Sequence, residues 1–447
     1  MKRFLILLLT AFLLVSCGSD GKDPAETPSG GSVPTGKALP FAAAENGYYT
    51  NGMLYYTDHG FVLYVNLDTG EDRVLCYDPL CTHDDETVTS DCQCIAYHAA
   101  DGFTGRVLAD GDRIWFLAEE HPGKIPGDFT TWYQLRCIDL ENMSLNVYLR
   151  TNEMHIYDFW MYGGEIYLSM PRQTIAENGS VSYEGGSIYR MEKNGSLTMV
   201  LEDSDGIQYR LLDSGEDCVY YHAKFGNGEL YRASADFSSS ETAAVLNSVY
   251  NIRISGGYVY YMKKNGNSYN VTLDEADGAF NEEISVRELL GNEYGLYRMR
   301  LDGGAEEKVY PSMPQVRSNS VIDYSTYLVD EENGLIWLAP LDASCTGFGI
   351  WEPDLLMMQM GADGKSILTG VFSETGGRIL ALDADTLTPA AEYTVPGWDA
   401  VDLYAVENGR VMGLFRLTDT EKLKQLHETE GLNSRWEYDV YGAFALE

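Results

Sequence analysis

One short pattern recurs seven times along this chain and constrains its fold more than any other feature. A glycine-bearing turn is followed at once by a strand of alternating, often aromatic residues. The copies are Asn51-Gly52 before Met53–Tyr56, Asp110–Asp112 before Arg113–Phe116, and Gly163-Gly164 before Glu165–Leu168. They continue at Ser214–Asp217 before Cys218–Tyr221, Gly256-Gly257 before Tyr258–Tyr261, Asn333-Gly334 before Leu335–Leu338, and Asn408-Gly409 before Arg410–Gly413. Period-two alternation gives a strand with one buried face. Asp-Gly and Asn-Gly suit tight hairpins, whose central positions need positive φ. A second motif, an alternating strand ending in an Asp/Asn-Gly type turn, occurs at Leu63–Gly70, Ile188–Gly195, Leu296–Gly304, Leu356–Gly364 and Ile379–Thr386.

Counted from the turn glycine nearest each strand, the first motif repeats at spacings from 42 to 77 residues. The shortest spacing suits one four-stranded blade, and the longer ones leave room for inserted loops. A lone four-stranded sheet cannot bury both faces, whereas radial stacking of such sheets does so and leaves few exposed edges. The fold class expected is therefore all-β, a β-propeller of seven or eight blades over residues 41–447. A pair of β-sandwiches or a β-helix is the competing arrangement. Asp274–Glu293 reads as an insertion, Thr418–His427 as a short helix, and Trp436–Tyr441 as a strand that closes the ring by pairing near the N-terminus.

The Gly-x-x-Tyr-Tyr strands at Gly52–Tyr56 and Gly257–Tyr261, with Leu296-Tyr297-Arg298-Met299 running into Asp302-Gly303, resemble the repeats of low-density-lipoprotein-receptor type propellers. They are also similar to propeller-like lipoproteins of gut Firmicutes. The resemblance implies a propeller used for extracellular binding or scaffolding. Leu75, Cys76, Pro79, Cys81 and His83 resemble an element that those lipoproteins carry after the first blade.

The N-terminus adds an address. Lys2 and Arg3 precede an apolar run from Phe4 to Val15, which ends in Ser16-Cys17-Gly18. Charge, apolar run and small residue are the parts of a secretory signal, and Ser16-Cys17 resembles a bacterial lipobox. Residues 1–16 are thus expected to be a lipoprotein signal peptide, and Cys17 the lipidated N-terminus. The expected location is the extracytoplasmic face of the cell membrane, with the lipid as membrane contact. Residues 17–40, rich in Gly, Ser, Pro and Asp, read as a disordered tether.

Export makes disulfides the expected state of the Cys-rich loop at 76–94. Cys76 and Cys81 are expected to pair with Cys92 and Cys94. The competing reading is a metal site, with thiolates and His83 as ligands of a structural zinc. Calcium at the turn carboxylates Asp302, Asp383 and Asp385 is a further expectation, though none has the spacing of a helix–loop–helix calcium loop. No cofactor is required by any motif.

The chain has 68 acidic against 31 basic residues and a formal charge of −37. That excludes a nucleic acid partner, which needs a basic footprint. The chain has no His-Glu-x-x-His, Walker loop or Gly-x-Ser-x-Gly elbow. The balance therefore favours a monomeric, non-enzymatic binding or scaffold protein for a glycan or surface protein, with Trp132 and Trp160 as candidate stacking residues. The alternatives are an extracellular carbohydrate-active enzyme with paired carboxylates, for which Asp58, Asp101 and Asp158 sit at strand ends, and a purely structural surface protein.

Overall fold

The computed structural model describes residues 47–446 except for a set of connections, the longest being 82–93, 99–105, 121–130, 273–287, 316–326, 349–358 and 418–438. The signal peptide, Cys17, the tether, the helix expected over Thr418–His427, and His83, Cys92 and Asp101 lie outside the described residues.

The architecture is a seven-bladed β-propeller. The first strands of the blades are Gly47–Thr50, Val107–Asp110, Asp158–Tyr162, Tyr209–Ser214, Val249–Ser255, Tyr327–Asp330 and Trp398–Glu407. Each pairs antiparallel with a second strand: Met53–Asp58, Arg113–Glu120, Glu165–Ser169, Cys218–Ala223, Tyr258–Thr272, Leu335–Leu338 and Arg410–Leu417. The third strands are Phe61–Asn66, Trp132–Asp139, Gly186–Met191, Glu229–Ser234, Glu288–Arg300, Arg378–Asp383 and Asp439–Ala445. Blades 1 to 6 add a fourth strand, at Glu71–Val74, Ser144–Thr151, Leu197–Asp203, Ser240–Val245, Glu307–Gln315 and Pro389–Thr394. The first strands of blades 1 and 2, 3 and 4, 4 and 5, and 6 and 7 lie side by side around the axis.

The seven glycine turns are the seven connections from first to second strand. Gly256 and Gly257 hold φ at 56° and 78°, which a side chain at Cβ would strain. The alternating residues that follow fill the space between blades. Tyr221 and Tyr231 stack at 5.0 Å in blade 4, and Trp337, fully buried, lies 5.8 Å from Tyr393 in blade 6. Large aromatics suit this position because each buries extensive apolar area between sheets.

Two expectations are corrected. Leu356–Gly364 does not supply a blade strand: Gln359–Met360 pairs with Ser366–Ile367 in a small hairpin inserted in blade 6. The C-terminal strand does not pair with the N-terminus. Asp439–Ala445 pairs with Arg410–Leu417 inside blade 7. Among the described residues blades 1 and 7 meet by side-chain packing, with Tyr441 and Tyr56 at 4.6 Å.

Antiparallel meandering puts the first-to-second and third-to-fourth turns on one face, and the second-to-third and fourth-to-first connections on the other. The first set is uniformly short. The second contains the long segments: 75–106, the hairpin Arg172–Ile175 with Val181–Glu184, and the blade 6 insertion with its strands Asp342–Phe348 and Val371–Glu374. We call these the turn face and the connection face.

Candidate functional site

Three groups of polar residues are built where the connection face meets blades 1 to 4. The first is a cysteine cluster. After blade 1, the chain turns back: Val62 N–H donates to Ala96 O at 2.8 Å, and His98 N–H to Gly60 O at 2.8 Å. Asp78 caps the intervening turn, its Oδ1 accepting from Leu80 N–H and its carbonyl from Cys81 N–H. This brings the Sγ atoms of Cys76, Cys81 and Cys94 within 4.8 Å of one another.

Among the described residues no disulfide links any two of these three cysteines, so the expected pairing of Cys76 or Cys81 with Cys94 is not formed; Cys92 lies outside the described residues. The sulfurs converge on one point instead of meeting in pairs. Burial, then the neighbouring thiols, push the Cys94 thiol up, so it keeps its proton. Three soft donors this close fit a thiophilic cation, since a small inward shift lets one ion reach each at the zinc–sulfur distance of about 2.3 Å. Such a set does not suit calcium, a hard cation that takes oxygen ligands. The carboxylates proposed for calcium are otherwise engaged: Asp302 accepts from Arg300 Nε at 2.9 Å and Nη2 at 2.6 Å, while Asp383 Oδ1 accepts from Asp385 and Thr386 N–H.

The second group is a buried ion pair. Arg106, just before the first strand of blade 2, lies 3.2 Å from Asp158, which opens the first strand of blade 3. Arg106 also donates to Phe159 O and Leu211 O, and Asp158 accepts from Phe159 N–H and Leu211 N–H. The pair thereby ties the inner strands of blades 2, 3 and 4. Asp158 is thus a structural clip and no longer a candidate for a catalytic pair. Half-buried Trp160 lies under Arg106, 4.7 Å from its guanidinium carbon, and the ring of Trp132 lies 3.8 Å from that of Arg150. Each of the two stacking candidates therefore already holds an arginine against its ring.

The third group lies between blades 2 and 3. Tyr133, at the start of the third strand of blade 2, donates its hydroxyl to Gln173 Oε1 at 2.8 Å. His155, in the connection to blade 3, lies 4.6 Å from Tyr133 and stacks on Tyr183 at 5.1 Å, with Tyr157 edge-on at 6.0 Å. Gln173 and Tyr183 belong to the inserted hairpin, which is docked by Gln173 N–H on Glu153 O. Burial lowers His155 to about 4, leaving it neutral, and its Nδ1 has no hydrogen-bond partner. Burial, then the nearby Glu119 carboxylate, raise both Tyr133 and Tyr183. Glu120, the next residue along, alternates to the other side and is held by Arg150 and Gln134.

The connection that bears the thiols also reaches this group, because His98 O accepts from Glu119 N–H at 2.7 Å and Tyr97 O from Arg136 Nη1 at 2.8 Å. Glu119, Tyr133, His155 and Tyr183 were not singled out in the sequence. Glu119 and Tyr133 are cross-strand partners in blade 2, His155 comes from the connection to blade 3, and the inserted hairpin adds Tyr183.

No protein-family model matches this chain, and no curated protein matches it in sequence. Among solved structures, it is similar to oligogalacturonate lyase from Vibrio parahaemolyticus at 11% identity and a TM-score of 0.38, over 66% of this chain and 73% of that one. It is similar to puromycin hydrolase at 8% identity and 0.40, over 89% and 54%. It is likewise similar to TolB from Acinetobacter baumannii at 9% and 0.35, over 79% and 61%. These likenesses concern the propeller fold alone and do not reach the receptor-type or lipoprotein resemblance. The expectation of a non-enzyme is corrected to this extent: a lyase and a hydrolase share the propeller fold, so the fold does not speak against an enzyme.

Proposed function

We propose that this chain is an enzyme that cleaves saccharides by acid–base chemistry on the connection face of the propeller. The observation that carries the reading is the buried, neutral His155, its Nδ1 without a partner, held between two protonated tyrosines beside Glu119. Perturbed titratable groups gathered in one place are the usual mark of acid–base sites. Imidazole, carboxylate and phenols together offer proton acceptors and donors, the two roles that cleavage of a glycosidic bond needs. The rings of Tyr157 and Tyr183 supply the apolar surface on which a sugar ring stacks. This set replaces the paired carboxylates expected from sequence, since Asp158 is committed to Arg106.

In this reading, zinc on Cys76, Cys81 and Cys94 is structural: it fixes the connection whose residue His98 holds the Glu119 backbone. The chain works as a monomer outside the cytoplasm, held at the membrane by lipid on Cys17, as the N-terminal sequence supports. Its place among propeller lipoproteins is part of the same proposal. The test is a panel of neutral and acidic polysaccharides incubated with the wild-type chain. New reducing ends from at least one support the proposal; none from any substrate contradicts it.

A further inference from the structure

The turn face carries a second site, on the opposite side of the propeller from the acid–base group. A cavity of about 230 Å³ opens between blades 4 and 5. Tyr220 and Arg232, cross-strand partners in blade 4, form one wall. Tyr258, Arg300 and Asp302 of blade 5 form the other. The floor is the positive-φ turn at Gly256, where a side chain would strain the backbone.

We infer that this cavity binds a small molecule bearing an oxyanion, a carboxylate or a phosphate, through Arg232 and Arg300. Two guanidiniums line the cavity, Arg300 paired with Asp302 and Arg232 in a longer ion pair with Glu241. The lining is also preset. Asp302 takes Nε and Nη2 of Arg300, which orients the guanidinium and leaves Nη1 outside the pair. Arg232 pairs with Glu241 Oε1 at 3.7 Å, an ion pair too long to be a hydrogen bond, so its N–H donors are not taken by that carboxylate. A guanidinium presents planar paired donors that match carboxylate and phosphate alike. The volume admits a ligand of about one sugar ring, below the range of about 300–1,000 Å³ for drug-sized ligands.

The experiment is calorimetric titration of the full chain at physiological salt with glucuronate, glucose 6-phosphate and glucose. Binding of either anion without glucose is expected, and which anion binds identifies the group. Arg232→Ala and Arg300→Ala should each weaken binding by about tenfold or more, with the lysine replacements intermediate because charge remains and the fork is lost. Both side chains are about half exposed, so the variants should fold, and an unchanged unfolding midpoint checks this. Tyr133→Phe should leave the affinity unchanged, which separates this site from the proposed catalytic one. No binding of either anion at about 10 mM, equal binding of glucose, or full affinity in either alanine variant would overturn the inference.

Discussion

The Tyr49 hydroxyl donates to Glu407 Oε1 at 3.0 Å, joining blade 1 to blade 7 across 358 residues of chain. The same oxygen lies 3.2 Å from Met412 Sδ and accepts from Gly52 N–H at 3.1 Å. Among the described residues no strand of blade 1 joins blade 7, and this fully buried side chain and the Tyr56–Tyr441 contact are part of the packing that joins the two blades. Tyr49→Phe should cost about 1 kcal/mol, the loss of one hydrogen bond. Tyr49→Ala should cost about 3–5 kcal/mol by leaving a cavity. Urea unfolding measures both, and an unchanged midpoint in Tyr49→Ala would show that the ring closes by other contacts.

The Arg106–Asp158 clip predicts an asymmetry. Asp158→Ala leaves a buried guanidinium without its carboxylate and should destabilise by about 3–5 kcal/mol. Arg106→Met combined with Asp158→Leu should recover much of that loss, because both charges are then gone. The recovery stays incomplete, since Phe159 O and Leu211 O lose their donor. Denaturant midpoints of the single and double variants decide it.

Much of the fold was legible before any coordinates. Each of the seven glycine turns marks the first-to-second connection of one blade, because a hairpin that tight admits few residues and the following strand must alternate. The third strands were less legible. Leu135–Asp139 and Leu230–Ser234 fill that role without an Asp-Gly ending, and the Leu356–Gly364 motif belongs to an insertion. The thiol cluster was visible as spacing, but spacing does not distinguish paired from convergent sulfurs. The acid–base group was illegible, since Glu119 and Tyr133 meet through strand register, His155 through the connection to blade 3 and Tyr183 through an inserted hairpin, none of which a motif marks.

Zinc should bind one ion per chain and raise the unfolding temperature. At a free concentration of one hundred times Kd the stabilisation is about 2.7 kcal/mol. The Cys94 thiol, held protonated by burial, must release its proton on binding, so affinity should fall as the pH is lowered. Cys94→Ser should abolish both the ion and the stabilisation. Thiol titration of the metal-free, unfolded chain checks the cysteines directly: finding Cys76, Cys81 or Cys94 oxidised to one another would contradict the metal reading.

Buried His98 and His155 are both lowered to about 4, His98 by burial and then by Arg136. In the unfolded chain a histidine titrates near 6.5, so below that pH the unfolded state takes up protons that the folded state refuses. Stability from this source is complete above about pH 6.5 and falls as the pH drops towards 4, by as much as about 3 kcal/mol per histidine. His98→Gln and His155→Gln should each flatten the acid limb of the stability curve relative to wild type. Parallel curves would show that neither histidine is buried neutral.

The central claim is that the Glu119–Tyr133–His155–Tyr183 group performs saccharide cleavage. The most direct measurement is kcat/KM of Tyr133→Phe on the polysaccharide that the wild-type chain cleaves fastest, with unfolding midpoints recorded alongside. Removing one hydroxyl that serves acid–base catalysis should lower kcat/KM by about 10²-fold or more while the midpoint moves only slightly. Wild-type kcat/KM in the folded variant would contradict the assignment.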